Sequence, residues 1–286
     1  MRLMHVSMTG ADDGTDPKEL RALAREFLDV GVEWAVLSSA ARAGTPRYPT
    51  DEWVHRFVAA CPDVKKAIHL CGRDVDAFIL GDARILKKLE GFDRVQLNFN
   101  QTRSPKDLDS LAAVANRLPH TFIIQHNQAN SDACATLAPI VHRMTVLFDA
   151  SGGRGASPEV WPEALPHVTC GYAGGLGLEN ITGELFRIHR AAGTRPFWVD
   201  MEGKLRGADD RFDLDTCGRI LLRVRDALGA VTEWCSPLGD DARALKTDSL
   251  APAGTSQAAH WSGESADGAK LNLSLSRALA RYRARV

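Results

Sequence analysis

The chain has 286 residues, 44% of them hydrophobic and 25% charged, enough for one large domain or two small ones around a well-buried core. Its 35 basic and 36 acidic side chains leave a formal net charge of −1, so no global field draws it to nucleic acid or to an anionic membrane. No apolar run approaches the ~20 residues of a membrane span, and Leu3–Met8, which contains His5 and Ser7, lacks the cleavage site of a signal peptide.

The elements alternate along the chain. Leu3–Met8 reads as a strand, and Asp16-Pro17 opens a helix that carries Leu20, Leu23, Ala24 and Phe27 to Val30, where Gly31 ends it. Glu33–Ser38 is a second strand, followed by a helix over Thr50–Ala60. Val64–Cys71 is the third, followed by a helical stretch over Val75–Leu89 that Gly81 interrupts. Asp93–Asn98 is the fourth, with its helix over Ser104–Arg117. His120–Gln125 and Met144–Asp149 are the fifth and sixth, with helices over Ser131–Val141 and Pro158–Leu165. Val168–Ala173 and Pro196–Met201 are the seventh and eighth, with helices over Glu179–Ala191 and Leu214–Leu228. Short apolar strands alternating with amphipathic helices imply a parallel sheet covered by helices. Eight such units within about 250 residues predict an α/β fold, a closed (β/α)8 or TIM barrel over residues 1–228. An open doubly wound sheet is the alternative, and no G-x-G-x-x-G follows the first strand to support it. From about Gly229 the chain turns rich in Ala, Gly and Ser, then sets Leu271, Leu275, Ala278, Leu279 and Tyr282 at helical spacing. Residues 229–286 are therefore expected to be a linker and a C-terminal helical extension. That helix would dock on the barrel or on a second subunit, as in a homodimer, or stand as a solvated tail.

The six cysteines, Cys61, Cys71, Cys134, Cys170, Cys217 and Cys235, have no metal or redox spacing. Scattered thiols fit small buried residues in a reducing, cytoplasmic setting.

In such a barrel the chemistry sits at the carboxyl ends of the strands. Those ends here are polar. Strand one carries His5, Ser7 and Thr9, and strand three ends in His69. Strand four alternates Gln96, Asn98 and Asn100 on one face. Strand five ends in Gln125, His126 and Asn127, strand six in Asp149 and strand seven in Gly174-Gly175. Strand eight ends in Asp200, with Glu202, Gly203, Lys204 and Arg206 beyond it. Buried polar groups cost free energy unless they find partners, so a ring of them points to a ligand site, although any one could be a satisfied core group. His5, His69, His126, Asp149, Asp200 and Glu202 could also face one metal, but no ligand spacing supports that, and neither metal nor cofactor is expected.

The stretch MTVLFDASGGRGASPEVWP, residues 144–162, joins a buried strand to an aspartate and a glycine-rich turn bearing Arg154. Asp149 thereby leaves an apolar strand into the barrel mouth, and Gly152, Gly153 and Gly155 permit a close backbone approach to a ligand. A catalytic acid is the reading favoured over a turn cap.

These residues resemble the phosphoribosylanthranilate isomerase family of phosphate-binding barrels over roughly residues 1–228. TPRYPTDEW (Thr45–Trp53) resembles that family's S-P-R-Y segment, and DRVQLNFN (Asp93–Asn100) its V-Q-L-H-G strand. LFDASGGRG resembles its sixth strand and turn, and GYAGGLGLENI (Gly171–Ile181) its L-A-G-G-L-N-P-E-N-V segment. The family opens an aminoribose ring and completes an Amadori rearrangement in tryptophan biosynthesis. The resemblance implies that Asp149 is the acid and that Arg47 contacts a substrate carboxylate, a fit for its bidentate fork. It also implies that backbone N–H groups at Gly174, Gly175 and the Gly203 region hold a phosphate. Two departures stand out. The family's base, a cysteine on strand one, is replaced by Val6 or Ser7 according to register, so His5, His69 or His126 is expected to serve as base. The family's Ser-Ser-Gly after strand eight is Met201-Glu202-Gly203, which sets a carboxylate near the phosphate unless Lys204, Arg206 or Arg154 offsets it.

The expected function is acid–base isomerisation of a small phosphorylated, sugar-like or carboxylate substrate, bound with the help of Arg47, Gln96, Asn98, Arg154, Asp200 and Glu202. A non-catalytic ligand-binding barrel, or a hydrolase or lyase using Asp149, Asp200 and Glu202, are the alternatives.

Overall fold

Local chemistry fixes where the helices begin. Asp16 accepts from Lys18 N and puts Pro17 at the first position of α1 (Pro17–Glu26). Thr50 caps α2 (Asp51–Ala60) through Trp53 N. Asp82 caps α4 (Ala83–Lys88), and Asp107 caps α5 (Leu108–Ala115). Each side-chain oxygen satisfies an N–H that the first helical turn leaves open. The computed structural model describes residues 1–149 and 155–235, with side chains through Ala230.

Eight parallel strands alternate with these helices: β1 (Leu3–Thr9), β2 (Val32–Ser38), β3 (Lys65–Cys71), β4 (Arg94–Asn98), β5 (Thr121–His126), β6 (Met144–Phe148), β7 (Thr169–Ala173) and β8 (Phe197–Met201). They close in chain order, with β8 pairing β1. The fold is a (β/α)8 barrel. The helical stretch expected around Gly81 is two helices, α3 (Arg73–Ile79) and α4, and Gly81 lies between them at a φ of +71°. The remaining helices are α6 (Ser131–Leu137), α7 (Ile181–Ala192) and α8 (Leu214–Cys235).

One expected helix does not form. Residues 158–165 are irregular. Pro158, Pro162 and Pro166 recur every four residues, each lacking an N–H and crowding the carbonyl a turn earlier. The segment is held by side chains instead. Trp161 is buried, donates to Glu184 Oε2 at 2.6 Å and meets Tyr172 edge-on.

Strand alternation sorts side chains into two layers. Trp34 faces outward and donates to Leu20 O of α1. Inside the barrel, Ile123, Leu147, Ala173 and Trp198 form an apolar cluster. Beside Trp198 the interior is charged. Arg94 lies 4.4 Å over its ring and pairs with Glu33 at 2.8 Å. Burial works against ionisation of Glu33, but Arg94 offsets it and holds the carboxyl below its ordinary value.

Met1–Arg225 forms one compact unit and Asp226–Val286 a second. Of the latter, the structure describes only the end of α8. The linker and terminal helix expected over 229–286 lie outside the described residues from 236 onward. Among the described residues no helix is long and apolar enough to cross a membrane.

Candidate functional site

A cavity of about 580 Å³ opens at the carboxyl ends of the strands. The strands deliver His69 from β3, Gln96 and Asn98 from β4, Gln125 from β5 and Asp200 from β8. The loops deliver Arg47 after β2, Asp149 after β6, Gly174 and Gly175 after β7, and Glu202, Gly203 and Lys204 after β8. The volume suits a small metabolite.

Three carboxylates face this space. Asp149 is 4% exposed, and Gln125 Nε2 donates to its Oδ2 at 3.4 Å. Asp200 accepts the Thr9 hydroxyl at 2.8 Å. Burial pushes the Asp200 carboxyl up to about 7, with nearby Glu202 adding repulsion against the stabilising hydroxyls of Thr9 and Ser7. Burial likewise raises Glu202, although Arg47 and Arg206 pull it down. Gln96 donates to Asn98 Oδ1 at 2.8 Å, and Asn98 donates to Cys71 Sγ at 3.3 Å. These amides therefore form a fixed wall.

The glycines at β7 are required by packing. Gly174 has a φ of +128° and Gly175 a φ of +61°. A Cβ on Gly175 would stand 2.7 Å from Ser157 N and 2.9 Å from Gly155 O, so the incoming 155–157 segment closes against them.

Ten of the residues picked out from sequence meet in this cavity: Arg47, His69, Gln96, Asn98, Asp149, Gly174, Gly175, Asp200, Glu202 and Gly203. Two expected bases do not reach it. His5 lies deeper, 3% exposed, between the Trp198 ring at 6.0 Å and Glu33 at 3.8 Å. It sits near the amino end of β1, one pleat too low. His126 follows inward-facing Gln125, so the period of two turns it outward against the Phe148 ring at 5.1 Å. His69 does line the cavity, but burial depresses its pKa to about 4, so it is neutral near pH 7. Arg154, with Gly152 and Gly153, lies outside the described residues. Gln125 and Lys204 also line the cavity, and Cys71 supports the wall from outside the lining as the acceptor of Asn98. Of these, Gln125 and Lys204 were legible as strand-end residues, whereas Cys71 read as a buried thiol.

No protein-family model and no curated protein matches the chain. Solved structures do. Phosphoribosyl anthranilate isomerase of Thermus thermophilus matches with a TM-score of 0.54 at 16% identity, over 78% of this chain and 99% of that one. The TrpF protein of Jonesia denitrificans matches with a TM-score of 0.54 at 16% identity, over 79% and 98%. A monomeric form of the dimeric isomerase of Thermotoga maritima matches with a TM-score of 0.53 at 14% identity, over 77% and 98%. The chain thus has the barrel fold of the phosphoribosylanthranilate isomerases.

Proposed function

We propose that the barrel mouth isomerises a small anionic, sugar-like substrate by acid–base catalysis, with Asp149 as acid and Asp200 as base. The observation that carries this reading is the surroundings of Asp200. The strand register sets it beside Ser7, one of the two residues at the resembled family's cysteine position. Its carboxyl, raised to about 7, is matched to proton transfer at neutral pH. His69, with a pKa near 4, is a much weaker base and suits an uncharged hydrogen-bonding role.

In this reading Asp149 protonates the ring oxygen of an aminoaldose as the ring opens to an imine. Asp200 then takes the proton from the adjacent carbon, and the enolamine formed tautomerises to the aminoketose. Arg47 engages a substrate carboxylate. The N–H groups at Gly174, Gly175 and Gly203, with Lys204 beside them, provide for a phosphate. The substrate proposed is phosphoribosylanthranilate or a close analogue, which would assign the chain to tryptophan biosynthesis in the cytoplasm. A non-catalytic binding barrel is the second reading, favoured by the absence of a strand-one cysteine and by the engagement of Arg47 with Glu202.

The test is a steady-state assay on phosphoribosylanthranilate with wild type, Asp149→Asn and Asp200→Asn, together with complementation of a strain lacking that isomerase. Each substitution removes a proton carrier and is expected to lower kcat by ~100- to 10,000-fold. Because Asp200 must be ionised to act as base, kcat/KM of wild type should rise with pH through about 7. Substrate binding without turnover would support the second reading, and variants as active as wild type would end the catalytic one.

A further inference from the structure

Five charged side chains form a closed network at the rim: Asp12 after β1, Arg47 after β2, and Glu202, Arg206 and Asp210 after β8. Arg206 is buried and donates to Gly10 O at 2.7 Å and to Asp12 Oδ2 at 2.8 Å, and its Nε meets Asp210 Oδ1 at 2.8 Å. Asp12 Oδ2 also accepts the backbone N–H of Arg47 at 2.9 Å. Arg47 itself has a φ of +74°. Left-handed backbone costs a non-glycine residue about 1–2 kcal/mol and persists only where its surroundings impose it. Here the Asp12–Arg206 pair imposes it, and the result is a guanidinium aimed at the cavity mouth.

That guanidinium is already engaged. Its Nη2 meets Asp210 Oδ1 at 2.9 Å and its Nη1 meets Glu202 Oε1 at 3.3 Å. The two contacts differ in kind. Asp210 stands on the rim and does not line the cavity, whereas Glu202 does. The Glu202 contact is the longer one, and Asp149 lies close enough to repel that carboxylate. The network holds three acids and two bases, an excess of one negative charge before any ligand arrives. A ligand carboxylate added with Glu202 in place would set a fourth anion against the same two cations.

We infer that Glu202 occupies the anion seat of Arg47 in the free protein, and that a substrate carboxylate binds by displacing it. Glu202 thereby competes within the chain for the Arg47 seat, and it lowers the affinity of any ligand that places an anion there by the fraction of time that Arg47 is free. The inference rests on the assignment of Arg47 to a substrate carboxylate, and it concerns binding only.

The experiment is a calorimetric titration of anthranilate into the full chain as wild type, Glu202→Gln, Glu202→Ser and Glu202→Gln/Arg47→Gln. Glutamine keeps the shape and removes the charge. Serine provides a second variant should the first fold poorly, and thermal melts check both. Glu202 is about one-third exposed on a loop, which tolerates such changes. The expected result is binding about tenfold tighter in both single variants than in wild type, with the gain abolished when Arg47 is also changed. Single variants that bind no tighter than wild type, or not at all, would overturn the inference. Because the readout is affinity, that result would leave the isomerase reading to its own assay of Asp149 and Asp200.

Discussion

Ser7 and Val6 are adjacent on β1, yet only one of them faces the chemistry. Ser7 donates to Glu33 Oε1 at 2.9 Å inside the barrel and pairs in register with Asp200. Val6 is fully buried on the alternate face. The sequence left both open as the position of the missing cysteine, because a strand's inward face depends on its closure with neighbours on both sides. The expected consequence is that Ser7→Cys raises turnover on phosphoribosylanthranilate, whereas Val6→Cys leaves it unchanged or lowers it. A steady-state comparison of the two decides this, and equal effects would mean that the resembled family's base position does not map beside Asp200. Asp149 was legible for a different reason. An apolar strand followed at once by a carboxylate and glycines marks a strand end without any knowledge of the fold. The shift of Asp200 to about 7 was not legible, since it arises mainly from burial, with the Glu202 charge adding to it, and burial exists only in the closed barrel.

At the scale of elements, the strands followed from short apolar runs, and helix starts from Asp16-Pro17 and Thr50, whereas the Asp82 and Asp107 caps, inside stretches that read as helical, emerged only in the structure. The absent helix after β6 shows the limit of that reasoning. Its apolar residues, Val160, Trp161 and Leu165, mimic a helical face, but the proline spacing prevents the backbone from using it. The pair β7–β8 carries a constraint equally hidden in sequence. Gly171 lies opposite Trp198, and a Cβ there would stand 2.1 Å from the indole ring. The ring cannot withdraw freely, because Arg94 covers it and Ile123 and Leu147 pack around it. Gly171→Ala is therefore expected to destabilise the barrel by about 1–3 kcal/mol through overpacking. Urea unfolding with an unchanged slope would register it, and a variant as stable as wild type would show that the layer is loosely packed. Gly72, by contrast, has open space around its Cβ position and no such packing demand.

The whole molecule folds around an interior that titrates, so its stability depends on pH in a calculable direction. His5 and His69 are buried neutral, each depressed to about 4 mainly by burial. Relative to an unfolded histidine near 6.5, each contributes stability that is complete above 6.5 and lost as pH falls toward 4. Asp200, raised to about 7, works oppositely. Its contribution is complete below the ordinary aspartate value of ~3.9 and lost as pH rises through 7. Between about 4 and 6.5 the unfolded chain thus binds two extra protons at the histidines and the native chain one at Asp200. The net of one proton gives a slope of about 1.4 kcal/mol per pH unit in favour of higher pH. Because the unfolded histidines are already half deprotonated at 6.5, these three groups should leave the protein about 1 kcal/mol less stable at pH 5 than at pH 6.5 in denaturant titrations, and Asp200→Asn should steepen that loss. Stability that is flat or rises on acidification would mean that the histidines are not held neutral.

Eight alternating apolar strands and amphipathic helices were enough to specify a closed barrel, because parallel strands buried on both faces leave few other ways to cover them. The strand ends were enough to name most of the cavity lining, because the period of two is a local property. What required the tertiary structure was every decision made across the barrel. Closure in register turned His126 outward, left His5 a layer too deep, set Ser7 beside Asp200 and brought Glu202 to Arg47. Those relations join residues far apart in the chain, Arg47 and Glu202 across 155 positions and Ser7 and Asp200 across the whole barrel. Their energies come from burial and mutual charge, which exist only once the ring of strands is closed.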